Sequence, residues 1–337
     1  VRQRRWPGLL DAGSWAGPQA AEGRRRPPGA CEELGGLREV LERYDGLLLD
    51  QYGVVHDGRQ LLPGAAECLE SLAERGVPIV IVSNSPCGRE QALRKLEGTL
   101  KLDAERLFLG IVTGGELCKD YLEHEVKQAG RPLRCMHVCH EDDVKRGVAS
   151  PEELRAFGLE LVSSLEEADF VWANGTEVAF KGTASERLTD FEASADWGVL
   201  GAIMDRAAEL QLPLLVSNPD ERIARADGSI VHCPGLLSRR YEAAGGARLL
   251  EFGKPHREVF EEGLRTLAAA GVPADRVIHV GDSLDTDVRG AQAAGVAVAL
   301  VAGGIDAVEL ERDGVAEACR RRGLALPDVA LQRFNWS

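Results

Sequence analysis

Four groups of polar residues in this chain have the side chains needed to capture a phosphoryl group. They are Asp50, the pair Ser83-Asn84, Lys254, and the acidic run from Gly281 to Asp287. An aspartate carboxylate can attack phosphorus and form an aspartyl-phosphate that water later removes. A hydroxyl and an amide can donate hydrogen bonds to phosphoryl oxygens, and a lysine can neutralise the nucleophile and the transferring group together.

The acidic run Gly281-Asp282-Ser283-Leu284-Asp285-Thr286-Asp287 indicates a bound cation. Such a concentration of carboxylates would repel a phosphate if no cation were present. Mg²⁺ prefers oxygen ligands and usually takes a few carboxylates together with waters and substrate phosphate. Asp50 and Asp282 would supply two such ligands, so the sequence predicts a Mg²⁺ site.

Three of the four groups follow apolar runs of strand length. Asp50 ends the run Gly46-Leu47-Leu48-Leu49, Ser83 follows residues 77–82, and Gly281-Asp282 follows residues 277–280. Ligands of open α/β sheets bind beyond the carboxyl ends of the strands, so these side chains are expected to share one crevice.

Apolar runs alternate with segments of helical period from residue 46 onward, which is typical of a parallel sheet covered by helices. The predicted fold is a Rossmann-like, doubly wound α/β core split by a second α/β domain. The predicted boundaries are 1–36 for a flexible tail, 37–115 and 248–325 for the core, 116–247 for the inserted domain, and 326–337 for a C-terminal tail.

Composition argues against two classes of partner. The formal net charge of -14 opposes binding to a phosphate backbone, and no apolar stretch is long enough to span a bilayer. The eight cysteines lie far apart, which favours a reducing compartment over a disulfide framework. The run Cys135 to His140 has metal-capable side chains, but an ordinary strand explains it as well.

The first 36 residues are rich in Arg, Gly and Pro and lack hydrophobic periodicity. A cytoplasmic location is expected. The Arg-rich start leaves open the remnant of an organelle transit peptide.

In their order along the chain, the four groups resemble the motifs of the haloacid dehalogenase superfamily. Asp50 with Gly53-Val54 is similar to the first motif, Ser83-Asn84 to the second, Lys254 to the third, and Gly281 to Asp287 to the fourth. The long insertion before Lys254 resembles the class IIA cap, also called C2, of sugar-phosphate, phosphoglycolate and pyridoxal phosphate phosphatases.

The resemblance assigns roles to these residues. It implies that Asp50 is the nucleophile and that Ser83, Asn84 and Lys254 hold the phosphoryl group. It also implies that Mg²⁺ binds Asp50, the backbone carbonyl of Tyr52 and Asp282.

Other acidic and amide residues receive secondary roles. Asp287 would support the metal site, directly or through water, whereas Asp285 and Thr286 are expected to cap the local helix. Asn218 and Asp220 in the insertion are candidate substrate contacts, although an Asn-Pro-Asp turn explains them equally well.

One position departs from the family's pattern. The phosphatases of the family normally have a second aspartate two residues after the nucleophile, where it protonates the leaving oxygen and then activates water. This chain has Tyr52 there. A phenol can donate a proton but is a poor base at neutral pH. His56 is an alternative base, or only a residue of the turn His56-Asp57-Gly58.

The resemblance therefore implies a Mg²⁺-dependent phosphatase of a small phosphorylated metabolite, such as a sugar phosphate. Two alternatives remain open: a protein that binds a phosphorylated ligand without turnover, and cleavage of C–P or C–halogen bonds, which needs no such acid. Capped proteins of this kind often pair, so a homodimer through the cap is also expected.

Overall fold

Strands and helices alternate along the part of the chain that the computed structural model describes, residues 31–141, 149–224 and 229–337. The strands are β1 Glu32–Leu34, β2 Gly46–Leu49, β3 Ile79–Ser83, β4 Gly110–Thr113, β5 Leu133–Cys139, β6 Leu159–Leu161, β7 Phe170–Ala173, β8 Val178–Ala179, β9 Arg187–Leu188, β10 Leu214–Val216, β11 Arg222–Ala224, β12 Ile230–His232, β13 Leu249–Glu251, β14 Val277–Gly281, β15 Ala297–Val301 and β16 Val329–Leu331. The α-helices are α1 Leu37–Val40, α2 Ala65–Glu74, α3 Arg89–Leu100, α4 Ala104–Leu107, α5 Gly114–Ala129, α6 Pro151–Phe157, α7 Phe191–Ser194, α8 Gly198–Glu209, α9 Gly235–Ala243, α10 Arg257–Ala269, α11 Arg289–Ala293 and α12 Ala307–Arg321. A 3₁₀ turn spans Ala274–Arg276 and a π-helical turn spans Leu284–Val288.

The core is a seven-stranded parallel sheet in the order β1-β16-β15-β14-β2-β3-β4. Helices α1 to α4 cover one face, and α10 to α12 cover the other. Strands β3 and β4 follow β2 on one side, and β14, β15 and β16 follow on the other. The direction in which the chain adds strands therefore reverses at β2. The predicted doubly wound α/β core is confirmed, and ligands of such sheets bind at this reversal point.

The central strand shows why the apolar runs are continuous. All four residues of β2 are buried, with Leu48 packing on one face of the sheet and Leu47 and Leu49 on the other. A parallel sheet covered on both sides requires apolar side chains at every position of its inner strands.

The insertion forms a second sheet in the order β13-β10-β7-β5-β8-β9, with β6 also paired to β5. Helices α8 and α9 pack on one face, and α5 and α6 pack on the other. Strand β5 includes the Cys135 to Cys139 run, and within it His137 is buried with Nε2 3.1 Å from Asn174 Oδ1. We call this unit, from α5 to β13, the cap.

Three predicted boundaries need correction. Strand β1 pairs with β16, which also pairs with β15, so neither the segment 32–36 nor the segment 326–337 is a tail. Residues 1–30 lie outside the described residues. Strand β13 belongs to the cap sheet although it follows residue 247, because it pairs with β10.

Membrane insertion was not expected from the sequence. Within the three described ranges, no helix combines the length and apolar character that crossing a bilayer requires.

Candidate active site

Asp50, Lys254 and Asp287 meet at the carboxyl end of the central strands. The Lys254 Nζ atom lies 2.6 Å from Asp50 Oδ1 and 2.7 Å from Asp287 Oδ1, and all three side chains are buried. Burial opposes the charge on the lysine, but the two carboxylates outweigh burial and raise the pKa of Lys254. The ammonium therefore stays charged next to the predicted nucleophile.

Asp287 is held by four donors. Its Oδ1 accepts from Lys254 and from His279 Nε2 at 2.7 Å, and its Oδ2 accepts from the backbone N–H groups of Asp282 and Ser283. Burial alone would raise the pKa of Asp287, but Lys254 and His279 more than offset it and hold the pKa well below the usual range. Asp287 therefore orients Lys254, and a direct bond from it to metal stays a prediction.

His279 was missed by the sequence analysis. It is fully buried in β14, and burial lowers its pKa, so the neutral ring donates from Nε2 to the Asp287 carboxylate. The available signal was a lone polar residue inside the apolar run of residues 277–280.

Asp282 lies in a cradle made by glycines. A Cβ atom at Gly53, where φ is +82°, or at Gly304 would overlap the Asp282 side chain, so both backbones approach the carboxylate closely. The Ile305 N–H donates to Asp282 Oδ2 at 2.8 Å. Burial, followed by repulsion from Asp50 and Asp287, raises the pKa of Asp282 well above its usual value.

This donor set fits a divalent cation. Carboxylate oxygens of Asp50, Asp282 and Asp287 lie within 4.8 Å of one another. Three buried carboxylates face a single ammonium, and burial raises the pKa of Asp50 to about 7 despite Lys254. A cation held by Asp50 and Asp282 would remove this imbalance. The backbone carbonyl of Tyr52 stays a predicted ligand.

The second motif joins the end of β3 to the loop that carries Lys254. Ser83 ends β3 beside β2, and its Oγ accepts the Ser85 N–H at 3.2 Å. The Asn84 amide group donates to the carbonyl of Lys254 and to Asp220, and Asn84 Oδ1 accepts the Lys254 N–H. Both amide hydrogens are therefore engaged in a clamp on Lys254, and contact of Ser83 or Asn84 with the phosphoryl group stays a prediction.

Tyr52 and His56 occupy the loop after the nucleophile. Their rings meet edge to face with centroids 5.9 Å apart, and Gly58 lies against the Tyr52 ring. His56 Nδ1 accepts the Gly58 N–H at 3.0 Å, and burial lowers the pKa of His56 to about 4. These contacts favour the turn interpretation of His56.

The Asn218-Pro219-Asp220 turn of the cap reaches the core. Asn218 Oδ1 accepts the Asp220 N–H at 2.9 Å, which is an Asx turn, and Asp220 Oδ1 accepts from Asn84 at 2.8 Å. The oxygen of Asn218 is therefore used within the turn. Contact of Asn218 or Asp220 with substrate stays a prediction.

The helical turn after Asp282 is capped by another residue than predicted. Ser283 Oγ accepts the Thr286 N–H at 3.2 Å, whereas Asp285 pairs with Arg289 and Arg322 at the surface. Asp285 does not cap the turn, because its carboxylate pairs with these two arginines. The sequence alone does not show that Arg322 lies near Asp285.

Two segments of the chain match known protein families. Residues 47–150 match a haloacid dehalogenase-like hydrolase family, and residues 251–322 match a HAD-hydrolase-like family. The chain belongs to the haloacid dehalogenase superfamily. The two matched segments contain Asp50, Lys254 and the acidic run, and most of the cap lies between them.

Similar proteins agree with this assignment. Human chronophin is 28% identical over 83% of this chain and 88% of its own length. Glycerol-3-phosphate phosphatase from Gallus gallus is 27% identical over 92% of this chain and 95% of its own. A haloacid dehalogenase-like hydrolase from Brucella suis superposes with a TM-score of 0.69 at 26% identity, covering 89% of this chain and 99% of that structure. Family and relatives together place this superfamily member among the phosphoric monoester hydrolases.

Proposed function

We propose that the protein is a Mg²⁺-dependent phosphatase that hydrolyses a small phosphorylated metabolite, such as a sugar phosphate, through an aspartyl-phosphate on Asp50. The observation that carries the proposal is the buried Asp50 carboxylate, with Lys254 Nζ 2.6 Å away. An activated carboxylate beside a fixed positive charge is the arrangement that phosphoryl capture requires. The similarity to glycerol-3-phosphate phosphatase from Gallus gallus supports a small phosphorylated metabolite as the substrate class.

The reaction has two steps. One oxygen of Asp50 attacks phosphorus, the P–O bond to the substrate breaks, and the departing oxygen takes a proton and leaves as an alcohol. Water then attacks the aspartyl-phosphate, which releases inorganic phosphate and restores the Asp50 carboxylate. Lys254 stabilises the negative charge on the phosphoryl oxygens in both steps, while Asp287 keeps the ammonium in position.

When bound by Asp50 and Asp282, Mg²⁺ would supply charge neutralisation for the phosphoryl oxygens. The cap contacts the core at Asp220, and a cap in this place would limit the access of bulk water to the intermediate. Tyr52 would donate the proton that the leaving oxygen takes, in the position where the family normally has an aspartate.

The second candidate is a protein that binds a phosphorylated ligand with little turnover. The observation that favours it is Tyr52 itself, because a phenol is a poor base for activating water. The neighbouring His56 does not replace that base, since its Nδ1 is occupied by the Gly58 N–H.

The test compares the protein with Asp50→Asn in the presence of Mg²⁺. The substrates are an aryl phosphate, whose leaving group needs no protonation, and a panel of sugar and polyol phosphates. We expect Asp50→Asn to lower the rate at least about a thousandfold, since it removes the nucleophile. The matched control is Asp45→Asn, which breaks a surface pair with Arg276 and should leave the rate unchanged.

Three results separate the candidates. Hydrolysis that survives Asp50→Asn contradicts the proposed mechanism. Thermal stabilisation by a phosphorylated metabolite without release of phosphate favours the binding protein. Hydrolysis of an alkyl phosphate at a rate close to that of the aryl phosphate excludes it.

A further inference from the structure

A carboxylate from the cap contacts the core beside the predicted phosphoryl site. Asp220 Oδ1 accepts a hydrogen bond of 2.8 Å from Asn84 Nδ2. The same Nδ2 donates to the carbonyl of Lys254 at 2.9 Å, and Asn84 Oδ1 accepts the Lys254 N–H at 2.6 Å. One asparagine therefore joins a cap residue to the backbone of the lysine that faces Asp50.

The pattern of donors and acceptors allows one orientation of Asn84. Its oxygen must face the Lys254 N–H, and its two amide hydrogens must face two acceptors, the Lys254 carbonyl and Asp220. A rotated amide would oppose like groups at all three contacts. Asp220 thus supplies the third contact that fixes the clamp, in a site where unmatched polar groups are costly.

The turn that carries Asp220 is held by two hydrogen bonds and lies close to the core. The Asp220 N–H donates to Asn218 Oδ1 in the Asx turn, and the Gly235 N–H donates to the carbonyl of Asp220 at 3.0 Å, which ties the turn to the start of α9. A Cβ atom at Gly253 would lie 3.3 Å from Pro219 Cδ and 2.5 Å from Asn84 Oδ1. The residue before Lys254 is therefore packed between the cap turn and the clamp.

We propose that Asp220 is a positioning residue that couples docking of the cap to placement of Lys254. When the cap turn lies on the core, Asp220 locks Asn84, and Asn84 locks the backbone from which Lys254 extends to Asp50. When the turn moves away, Asn84 loses the contact with Asp220 and keeps its two contacts with Lys254. This inference rests on the proposed function, and it gives Asp220 a different role from substrate contact.

The two roles predict different kinetics. A positioning residue affects the step in which Lys254 stabilises charge, so its loss lowers kcat for every substrate by a similar factor. A substrate contact changes KM, by a factor that depends on the substrate. The positioning role also requires Asn84, whereas a substrate contact acts without it.

The test measures Mg²⁺-dependent hydrolysis of an aryl phosphate and of one active sugar phosphate. The variants are Asp220→Ala, Asp220→Asn, Asn84→Ala and the double variant Asn84→Ala/Asp220→Ala. The control is Glu221→Gln, which removes the neighbouring carboxylate and its contact with Arg239 only.

We expect Asp220→Ala to lower kcat about tenfold on both substrates with KM changed less than about twofold, as for one lost charge-assisted hydrogen bond. Asp220→Asn keeps an acceptor oxygen and should recover most of the rate. The double variant should be no slower than Asn84→Ala, because both changes break the same clamp.

Unchanged kcat in Asp220→Ala overturns the inference while leaving the proposed function intact. A substrate-dependent rise in KM that adds to the effect of Asn84→Ala also overturns it and makes Asp220 a substrate contact. If Asp220→Ala does not fold, Asp220→Ser, a residue suited to turns, takes its place with the same expectations. If the unchanged protein hydrolyses none of the substrates, the proposed function itself is contradicted. The failure of the proposed function is therefore distinguishable from the failure of this inference.

Discussion

At the scale of single residues, Tyr52 decides how well the proposed reaction proceeds. The residues proposed to capture the phosphoryl group, Asp50, Lys254 and Asp287, are all buried. The position two residues after Asp50 has a phenol that packs against His56 and Gly58. Protonation of the leaving oxygen and activation of water should therefore limit the rate more than phosphoryl capture.

Restoring a carboxylate at this position should accelerate the reaction selectively. We expect Tyr52→Asp to raise kcat on an alkyl phosphate at least about tenfold, because a general acid and base contributes about 10²- to 10⁴-fold where it is needed. The gain on an aryl phosphate should be smaller, since that leaving group departs without a proton. The measurement is the ratio of the two kcat values before and after substitution.

Tyr52→Phe serves as the control, because it keeps the ring packed against Gly58 and removes only the hydroxyl. It should lower the alkyl rate and leave the aryl rate nearly unchanged. Equal gains on both substrates in Tyr52→Asp would show that the substitution acts through packing and not through proton transfer.

At the scale of secondary structure, the central strands β2, β3 and β14 were predictable, whereas β1 and β16 at one side of the sheet were not. Strand β2 is apolar at every position because helices cover both faces of the sheet, and such a run is distinctive. Strand β1 consists of Glu32, Glu33 and Leu34, with both glutamates exposed. A three-residue edge strand with charged side chains has no periodic signal, so only its pairing with β16 reveals it.

The site shows the same division. Asp50 and Asp282 follow inner strands directly, so their convergence could be predicted from the chain alone. The clamp from Asn84 to Lys254 depends on side-chain directions in two loops 170 residues apart. The bond from His279 to Asp287 depends on how a helical turn folds back on its strand, which no local pattern specifies.

The C-terminal segment gives a test at this scale. Phe334 is 1% exposed and packs in the same core cluster as Leu37, and the Leu37 N–H donates to the carbonyl of Asn335. We expect Phe334→Ala to lower the free energy of unfolding by about 3–5 kcal/mol, as for other buried phenylalanines. Urea unfolding monitored by circular dichroism measures this change.

Arg333→Ala is the matched control, because this neighbouring side chain is exposed and its loss should cost less than about 0.5 kcal/mol. Equal stabilities of Phe334→Ala and the unchanged protein would contradict this packing and agree with the predicted C-terminal tail at residues 326–337.

At the scale of the whole molecule, negative charge is concentrated where the two matched segments of the core meet. The chain carries a net charge of -14, and three carboxylates of the site face one lysine. Burial, followed by repulsion from Asp50 and Asp287, raises the pKa of Asp282, so the charged form of this carboxyl is unfavourable in the folded protein without a cation. Binding of a divalent cation should therefore stabilise the fold and not only the reaction.

We expect Mg²⁺ to raise the Tm of the protein, with about 2.7 kcal/mol of added stability at a hundred times the dissociation constant. Asp282→Asn should raise the Tm in the absence of Mg²⁺, because it removes a buried charge while its amide oxygen can still accept the Ile305 N–H. The same variant should lose most of the response to Mg²⁺. Asp285→Asn, which alters only surface pairs with Arg289 and Arg322, should keep the full response. Differential scanning fluorimetry with and without Mg²⁺ measures all three proteins, and an undiminished response in Asp282→Asn would place the cation elsewhere.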